Sequence, residues 1–262
     1  MTSPDGTTWT SRNTTGLDLQ WQCVTFGQGL FLSVATSLTM DSVMTSPDGI
    51  DWTLRNSSRL DNGWNAVTYA NDLFVAIGTT GTGNRVMTSP DGITWTSRNT
   101  TGFDNAWRAI TSGNGLFVAT AQSGAGNRVM TSPDGINWTS RNTTGLDNSW
   151  NGVCWGNNLF VAVASSGTGN RVMTSPDGIT WTGRNTTGLD NAWRNIVWTN
   201  ALFVVVGSSG TGKRVMTSPD GITWTSRSSA ADNDWYGLVF GKGILVATAI
   251  AGGSGDRVMT SP

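Results

Sequence analysis

A repeat of 43 residues is the feature of this sequence that most limits what it can fold into. The segment Met87–Arg98 reads Met-Thr-Ser-Pro-Asp-Gly-Ile-Thr-Trp-Thr-Ser-Arg. Copies of it begin, 43 residues apart, at Met1, Met44, Met87, Met130, Met173 and Met216, and a short seventh copy begins at Met259. Because no boundary interrupts this period, we predict a single domain over residues 1–262.

Each repeat predicts four β-strands. Ser-Pro-Asp-Gly is typical of a tight turn, because proline restricts φ and glycine tolerates the last turn position. β-Branched and aromatic residues lie on both sides of it. In the third repeat we predict strand A from Trp107, strand B from Leu116, strand C from Arg128 and strand D from Ile136. Glycine, asparagine and threonine interrupt every run, and no helical period is visible, so helices are not expected.

Four strands repeated six times predict a six-bladed β-propeller, an all-β fold whose blades are four-stranded sheets. A linear β-solenoid is the alternative, but it usually has shorter rungs and needs end caps, of which the sequence shows none. The strand order begins and ends at strand C, so the sixth blade lacks strand D. We predict that Thr7–Ser11 supply that strand, close the ring and remove its exposed edges. A chain closed in this way is expected to be a monomer.

The segment Ser89–Trp95 resembles the Asp-box (BNR) repeat of sialidase-type β-propellers, which reads Ser-x-Asp-x-Gly-x-Thr-Trp. This chain has one residue fewer between the aspartate and the glycine. In that family the motif is a structural turn between strands C and D, on the face away from the active site. The resemblance therefore implies that the turn aspartates cap backbone amides: Asp5, Asp48, Asp91, Asp134, Asp177 and Asp220.

The side chains that most enzymes use for catalysis are scarce. The chain contains no histidine and no glutamate, and all 17 acidic residues are aspartate. Ser/His/Asp and Cys/His catalysis and histidine-based metal sites are therefore excluded. Sialidase-like catalysis would need a tyrosine with a glutamate partner, and the tyrosines are Tyr69 and Tyr236 alone. Near-identical blades also distribute each aspartate around a ring, so we expect a non-enzymatic protein with no cofactor and no metal.

Composition argues against two classes of partner. Only 13% of the residues are charged and the net charge is −1, so no electrostatic footprint for nucleic acid is visible. No apolar run approaches the roughly 18 residues that cross a bilayer, so membrane insertion is not expected. Cys23 and Cys154 occupy different places within their repeats, and we interpret them as isolated buried thiols rather than a disulfide.

The D–A and B–C connections of every repeat are predicted to lie on one face, which we call the loop face. Aspartate, tryptophan and arginine recur there at fixed positions. Aromatic rings beside fixed polar groups suit sugars, because rings stack on apolar sugar faces while polar groups set orientation. The candidate ligand-binding residues are Asp61, Trp64, Arg85, Asp104, Trp107, Arg128, Asp147, Trp150, Arg171, Asp190, Trp193 and Arg214.

Two interpretations of these residues stay open. In one, the tryptophans pack between blades and each aspartate pairs with an arginine inside its own loops. In the other, each repeat carries a weak glycan site, and several sites on one ring bind a multivalent surface strongly. The corresponding functions are lectin-like carbohydrate binding and, as the alternative, a protein-interaction or structural propeller of a viral or cell-surface appendage that contacts a surface protein.

Overall fold

The computed structural model describes residues 1–12, 19–36, 42–56, 62–251 and 257–262. These residues form 23 β-strands and no helix. In this part of the chain, therefore, no helix is long and apolar enough to cross a membrane. The chain separates into two compact units. The first comprises Met1–Gly124 and Val129–Ser140, and the second comprises Ala125–Arg128 and Arg141–Pro262.

The first three sheets each contain four strands, and every strand is hydrogen-bonded to the next along the chain. The strands of these sheets are β1 (Trp21–Gly27), β2 (Leu30–Ala35), β3 (Val43–Ser46), β4 (Thr53–Arg55), β5 (Trp64–Ala70), β6 (Leu73–Gly78), β7 (Val86–Ser89), β8 (Thr96–Arg98), β9 (Trp107–Gly113), β10 (Leu116–Ala121), β11 (Val129–Ser132) and β12 (Thr139–Arg141).

The last three sheets keep the same order, except that the final sheet has three strands among the described residues. Their strands are β13 (Trp150–Gly156), β14 (Leu159–Ala164), β15 (Val172–Ser175), β16 (Thr182–Arg184), β17 (Trp193–Trp198), β18 (Phe203–Gly207), β19 (Val215–Ser218), β20 (Thr225–Arg227), β21 (Asp234–Gly241), β22 (Ile244–Ala251) and β23 (Val258–Ser261). Six such sheets in sequence confirm the predicted fold class, a six-bladed β-propeller.

Local chemistry explains where the strands begin and end. Strands A and B of the third blade are joined at Asn114 and Gly115, whose φ values of 47° and 74° are those of a type I′ hairpin. Strand D of this blade starts at Thr139 and not at Ile136 as predicted. The reason is that Asp134 accepts hydrogen bonds from the amides of Ile136 and Asn137, which keeps both residues in the turn.

The core lies between consecutive sheets of each unit. In the first unit, Val34 of β2 packs with Trp64 and Val67 of β5. In the second unit, Val163 of β14 packs with Ile196 of β17 in the same arrangement. Strand B of one blade is therefore covered by strand A of the following blade, and each blade depends on its neighbours for burial.

The ends of the chain do not pair as predicted. The amide of Thr2 donates to the carbonyl oxygen of Thr10 at 2.9 Å, and the amide of Thr10 donates back at 2.8 Å. Residues 1–12 thus form their own hairpin, and within the described residues β23 pairs with β22 alone. Thr7–Ser11 are not strand D of the sixth blade, because residues 1–4 have the same sequence, Met-Thr-Ser-Pro, as residues 259–262 and take the pairing locally.

Candidate functional site

The Ser-Pro-Asp-Gly turns are closed by their aspartates. Asp91 Oδ1 accepts hydrogen bonds from the amides of Ile93 (2.8 Å) and Thr94 (2.7 Å) and from the Ser89 hydroxyl (2.9 Å). The Thr94 amide is the largest reason that the pKa of Asp91 lies below its usual value of 3.8. The same capping occurs at Asp5, Asp48, Asp134, Asp177 and Asp220. The predicted capping of backbone amides by the six turn aspartates is confirmed.

The candidate tryptophans of the loop face are completely buried. Trp64, Trp107, Trp150 and Trp193 are each 0% exposed. The indole N–H of Trp107 donates to the carbonyl oxygen of Phe103 at 2.9 Å, which satisfies its one polar group. A ring without an exposed face has nothing to offer a sugar, so stacking does not fit this placement. The structure favours the packing interpretation for these four residues.

The candidate aspartates and arginines meet as internal pairs. Asp104 Oδ1 accepts a hydrogen bond from the Gly83 amide at 2.8 Å and lies 3.6 Å from Arg85 Nε. Arg85 also donates to three backbone carbonyl oxygens. The other ion pairs of this kind are Arg128–Asp147, Arg171–Asp190 and Arg214–Asp232, at 3.5–3.6 Å. These contacts join the B–C connection of a blade to the D–A connection that follows it.

The carboxylates of these pairs keep part of their surface. The side chains of Asp104, Asp147, Asp190 and Asp232 are 31–41% exposed, whereas the paired arginines are 15–16% exposed. Asp61 lies outside the described residues. Contact of these aspartates with a ligand stays a prediction. Across the described residues, no three carboxylate or thiol side chains come together as a metal site.

One position on strand A is among several at which the blades differ. It follows the buried tryptophan directly, and its occupants are Gln22, Asn65, Arg108, Asn151, Arg194 and Tyr236. Because strand A follows the D–A connection, this position lies at the loop-face end of every blade. The repeated columns of aspartate, tryptophan and arginine do not include it. The sequence signal at this position is variation between repeats, which several other strand A positions share.

In the first unit, this position is organised around Arg108. Its Nη1 donates to Asn65 Oδ1 at 2.7 Å, and its Nε donates to Gln122 Oε1 at 2.8 Å. Asn65 Nδ2 in turn donates to the carbonyl oxygen of Arg108 at 2.7 Å. The neighbouring side chains therefore fix the plane and the direction of this guanidinium group.

In the second unit, the corresponding guanidinium belongs to Arg194. Its Nε donates to the Ser208 hydroxyl at 2.8 Å. Its Cζ lies 4.7 Å from the centroid of the Tyr236 ring, which is a cation–π contact. Tyr236 is 37% exposed. A planar cation held by a hydroxyl on one side and a ring on the other is suited to a carboxylate, which guanidinium recognises with paired hydrogen bonds.

A concave surface lies at the sixth blade, which has three strands among the described residues. It is a groove of about 700 Å³ lined by residues of β18, β19 and β21–β23, among them Val204, Leu238, Leu245 and Met259. In the fifth blade the equivalent volume is used by Trp224, the tryptophan that follows the Ser-Pro-Asp-Gly turn, which packs against the apolar cluster shared with the fourth blade. The groove is therefore the space that strand D and its tryptophan take in a complete blade. The repeat count indicated a missing strand, but not a cavity.

Comparison with known proteins places the fold. No protein-family model and no curated protein sequence matches the chain. Solved structures do: selenomethionine-substituted virginiamycin B lyase from Staphylococcus aureus matches with a TM-score of 0.77 and 14% identity, over 94% of this chain and 85% of that one. YCF48 bound to D1 peptide matches with a TM-score of 0.62 and 15% identity, over 88% and 75%. A catalytically inactive histidine-to-alanine variant of the lyase with quinupristin matches with a TM-score of 0.57 and 10% identity, over 90% and 94%.

These likenesses correct one expectation from the sequence. The chain was expected to be non-enzymatic because its blades are nearly identical and lack histidine and glutamate. That expectation is contradicted, since the same fold carries catalysis in the lyase. At this level of identity the comparison establishes the β-propeller fold.

Proposed function

We propose that this chain binds a protein or peptide segment that presents carboxylate groups, and that Arg108 in the first unit and Arg194 in the second each recognise a carboxylate at the loop-face end of their own blade. One observation carries the proposal. Both arginines directly follow a strand A tryptophan, and each is held in a fixed orientation by its neighbours. Pre-oriented donors lose little conformational entropy on binding, which is how such a site gains affinity.

The fold likeness supports a peptide ligand without identifying it. One of the similar structures is that of YCF48 with a bound peptide. The lyase reaction is not carried over, because that enzyme is described as inactive when a histidine is replaced and this chain has no histidine. We place the chain beside the Asp-box propellers on the shared turn chemistry, again as a proposal.

Matched arginine substitutions test the proposal. A labelled acidic peptide is titrated by fluorescence anisotropy, and a peptide of the same sequence with amides in place of its carboxylates is the ligand control. Arg108→Gln and Arg194→Gln keep polarity but remove the charge. A hydrogen bond to a charged group contributes about 1.5–3 kcal/mol, so each variant should bind about tenfold or more weakly.

The control variant is Lys242→Gln, because Lys242 is an exposed cation in the A–B turn of the sixth blade, away from strand A's first residues. It should bind the acidic peptide as the unchanged chain does. Equal affinity of all three variants, or equal affinity for acidic and amidated peptides, would refute recognition by the two arginines.

Carbohydrate binding is the second candidate. The observation in its favour is the set of partly exposed carboxylates that recur beside arginines on the loop face. The burial of the four tryptophans removes the stacking surface on which that hypothesis first depended. A glycan array followed by titration separates the two functions. Stepwise loss of sugar binding in Asp104→Asn and Asp147→Asn would support a glycan ligand. If the chain binds no glycan at millimolar concentration, carbohydrate binding is rejected.

A further inference from the structure

The sixth blade, in the second unit, has a strand C that is not covered by a strand D. In the other five sheets strand C is hydrogen-bonded to a strand D, whereas among the described residues β23 pairs with β22 alone. Met259 is half-buried and Thr260 is exposed, although Met216 and Thr217, at the same positions of the fifth blade, are buried. The outer edge of β23 is therefore accessible to another strand.

Strand D of the fifth blade shows what such an edge accepts. β20 pairs with β19, and Thr225 faces Thr217. Arg227 Nε donates to Thr217 Oγ1 at 2.8 Å. The same arginine-to-threonine hydrogen bond occurs in the first, second and fourth blades. Trp224, directly before β20, packs into the apolar cluster between the fourth and fifth blades.

The turn before strand D also has a fixed place. In the fifth blade, a Cβ on Gly221 would lie 2.9 Å from Val161 Cγ2 and 3.0 Å from Leu159 Cδ2, so this turn packs against the preceding blade. The residues at those two positions one blade later are Leu202 and Val204, and both line the groove beside β23. The groove thus has, within one unit, the surfaces that contact a turn, a tryptophan and a strand D elsewhere.

We propose that the groove and the edge of β23 bind one extended strand of a partner protein, and that this strand has the chemistry of the strand D segments, Asp-Gly-x-Thr-Trp-Thr-x-Arg. The partner's tryptophan fills the groove lined by Val204 and Leu238. Its backbone pairs with β23, and its arginine donates to Thr260 Oγ1. Main-chain hydrogen bonds along such an edge give affinity, and the pocket beside it selects the side chain.

The matching segments of this chain are already paired, which is why a partner supplies the strand. Residues 5–12 read Asp-Gly-Thr-Thr-Trp-Thr-Ser-Arg. Thr10 exchanges two backbone hydrogen bonds with Thr2, and Arg12 Nε donates to Thr2 Oγ1 at 2.7 Å. The five similar segments that follow supply strand D to their own blades. Among the described residues, each of these segments has a pairing strand, and β23 is left for another polypeptide.

A synthetic peptide with the sequence of residues 220–227, a fluorescent label and a C-terminal amide tests the proposal. Fluorescence anisotropy should show that the full chain binds it saturably at one site. Alanine in place of the peptide's tryptophan should weaken binding about a hundredfold or more, as expected for a buried aromatic side chain. Glutamine in place of its arginine should weaken binding about three- to tenfold. That second loss should disappear in Thr260→Val, which lacks the acceptor oxygen.

Matched variants of the chain locate the site. Leu202→Asp places a charge in the groove and should bind the peptide about tenfold or more weakly. Ile222→Asp is the control, because Ile222 is 45% exposed in the same unit and does not line the groove. It should bind as the unchanged chain does. Arg108→Gln and Arg194→Gln should also bind this peptide unchanged, which separates the groove from the carboxylate sites of the proposed function.

The proposal is overturned if the chain does not bind the peptide at millimolar concentration, or binds it equally well with alanine in place of tryptophan. Equal binding by Leu202→Asp and Ile222→Asp also overturns it, provided circular dichroism shows both variants folded. If Leu202→Asp does not fold, the decision passes to Thr260→Val: a loss from the peptide's arginine replacement as large as in the unchanged chain contradicts the proposal. Binding that appears only in Trp9→Ala would show that residues 5–12 occupy the groove, and would exclude a partner strand.

Discussion

Alanine at Gly135 should destabilise the protein more than alanine at Gly102 or Gly49, two glycines that also have a positive φ. Gly135 closes the Ser-Pro-Asp-Gly turn of the third blade with φ at +71°, and a Cβ there would lie 2.9 Å from Val75 Cγ2 and 3.0 Å from Leu73 Cδ2. Val75 is 0% exposed and β-branched, so it has little freedom to move aside. The substitution therefore combines an unfavourable backbone conformation with crowding of the preceding blade.

Two control glycines separate these effects. Gly102 has φ at +87° and nothing within 4 Å of a Cβ, and Gly49 is a Ser-Pro-Asp-Gly glycine at +76° whose nearest atoms are 3.7 Å away. A left-handed conformation costs a non-glycine residue about 1–2 kcal/mol, which is the whole expected loss at Gly102 and Gly49. Overpacking adds about 1–3 kcal/mol, so Gly135→Ala should lose about 2–5 kcal/mol.

Denaturant unfolding of the three variants gives the free energies directly. Equal losses at Gly135, Gly102 and Gly49 would mean that backbone conformation explains everything. In that case the Ser-Pro-Asp-Gly turn would not be packed against the preceding blade as described. A loss at Gly135 below that at Gly102 would refute the reasoning altogether.

Three further predictions concern the whole chain. The folded-state pKa of the aspartates in the Ser-Pro-Asp-Gly turns is lowered, so their contribution to stability is complete above the usual carboxyl pKa of 3.8 and is lost as the pH falls below it. A free energy of unfolding that stays constant as the pH is lowered through this range would contradict the role of these turns. Burial raises the pKa of the Cys154 thiol, so Ellman's reagent should modify it at about pH 8 only when the chain is unfolded, and rapid reaction of the native protein would contradict the packing of β13. The single domain predicted over residues 1–262 should unfold in one calorimetric transition, whereas two separated transitions would show that the two compact units are independent domains.

The fold could be predicted from the sequence because the same turn and strand residues recur in all six repeats. The turn between strands C and D is determined by Ser89, Asp91 and Gly92. The hairpin between strands A and B is determined by Asn114 and Gly115. The short apolar runs between these turns are typical of strands. The starting point of strand D was misplaced by three residues. A turn closed by a side chain extends further than its proline and glycine indicate, since the carboxylate holds the next two amides as well.

The candidate site was harder to predict because a residue that recurs in every repeat fits a structural role and a binding role equally well. A recurring tryptophan reads equally as core or as a binding ring, and only burial decides that Trp107 is core. Recurring Asp104–Arg85 pairs read equally as ligand contacts or as loop closures, and the structure shows the backbone groups that they hold. Arg108 and Arg194 occupy a position that holds other residues in the remaining repeats, so a search for residues shared by all repeats does not find them.

We propose that the repeats supply the scaffold and that the residue after each strand A tryptophan supplies recognition. One variant tests it directly: replacement of Gln22, Arg108, Arg194 and Tyr236 by asparagine, the residue already present at Asn65 and Asn151. All six blades then carry the same residue at this position. We predict that the variant keeps its free energy of unfolding to within about 1–2 kcal/mol, since the residues are polar and lie at the surface ends of strands, and that it no longer binds the acidic peptide. Peptide binding as tight as that of the unchanged chain would contradict the claim.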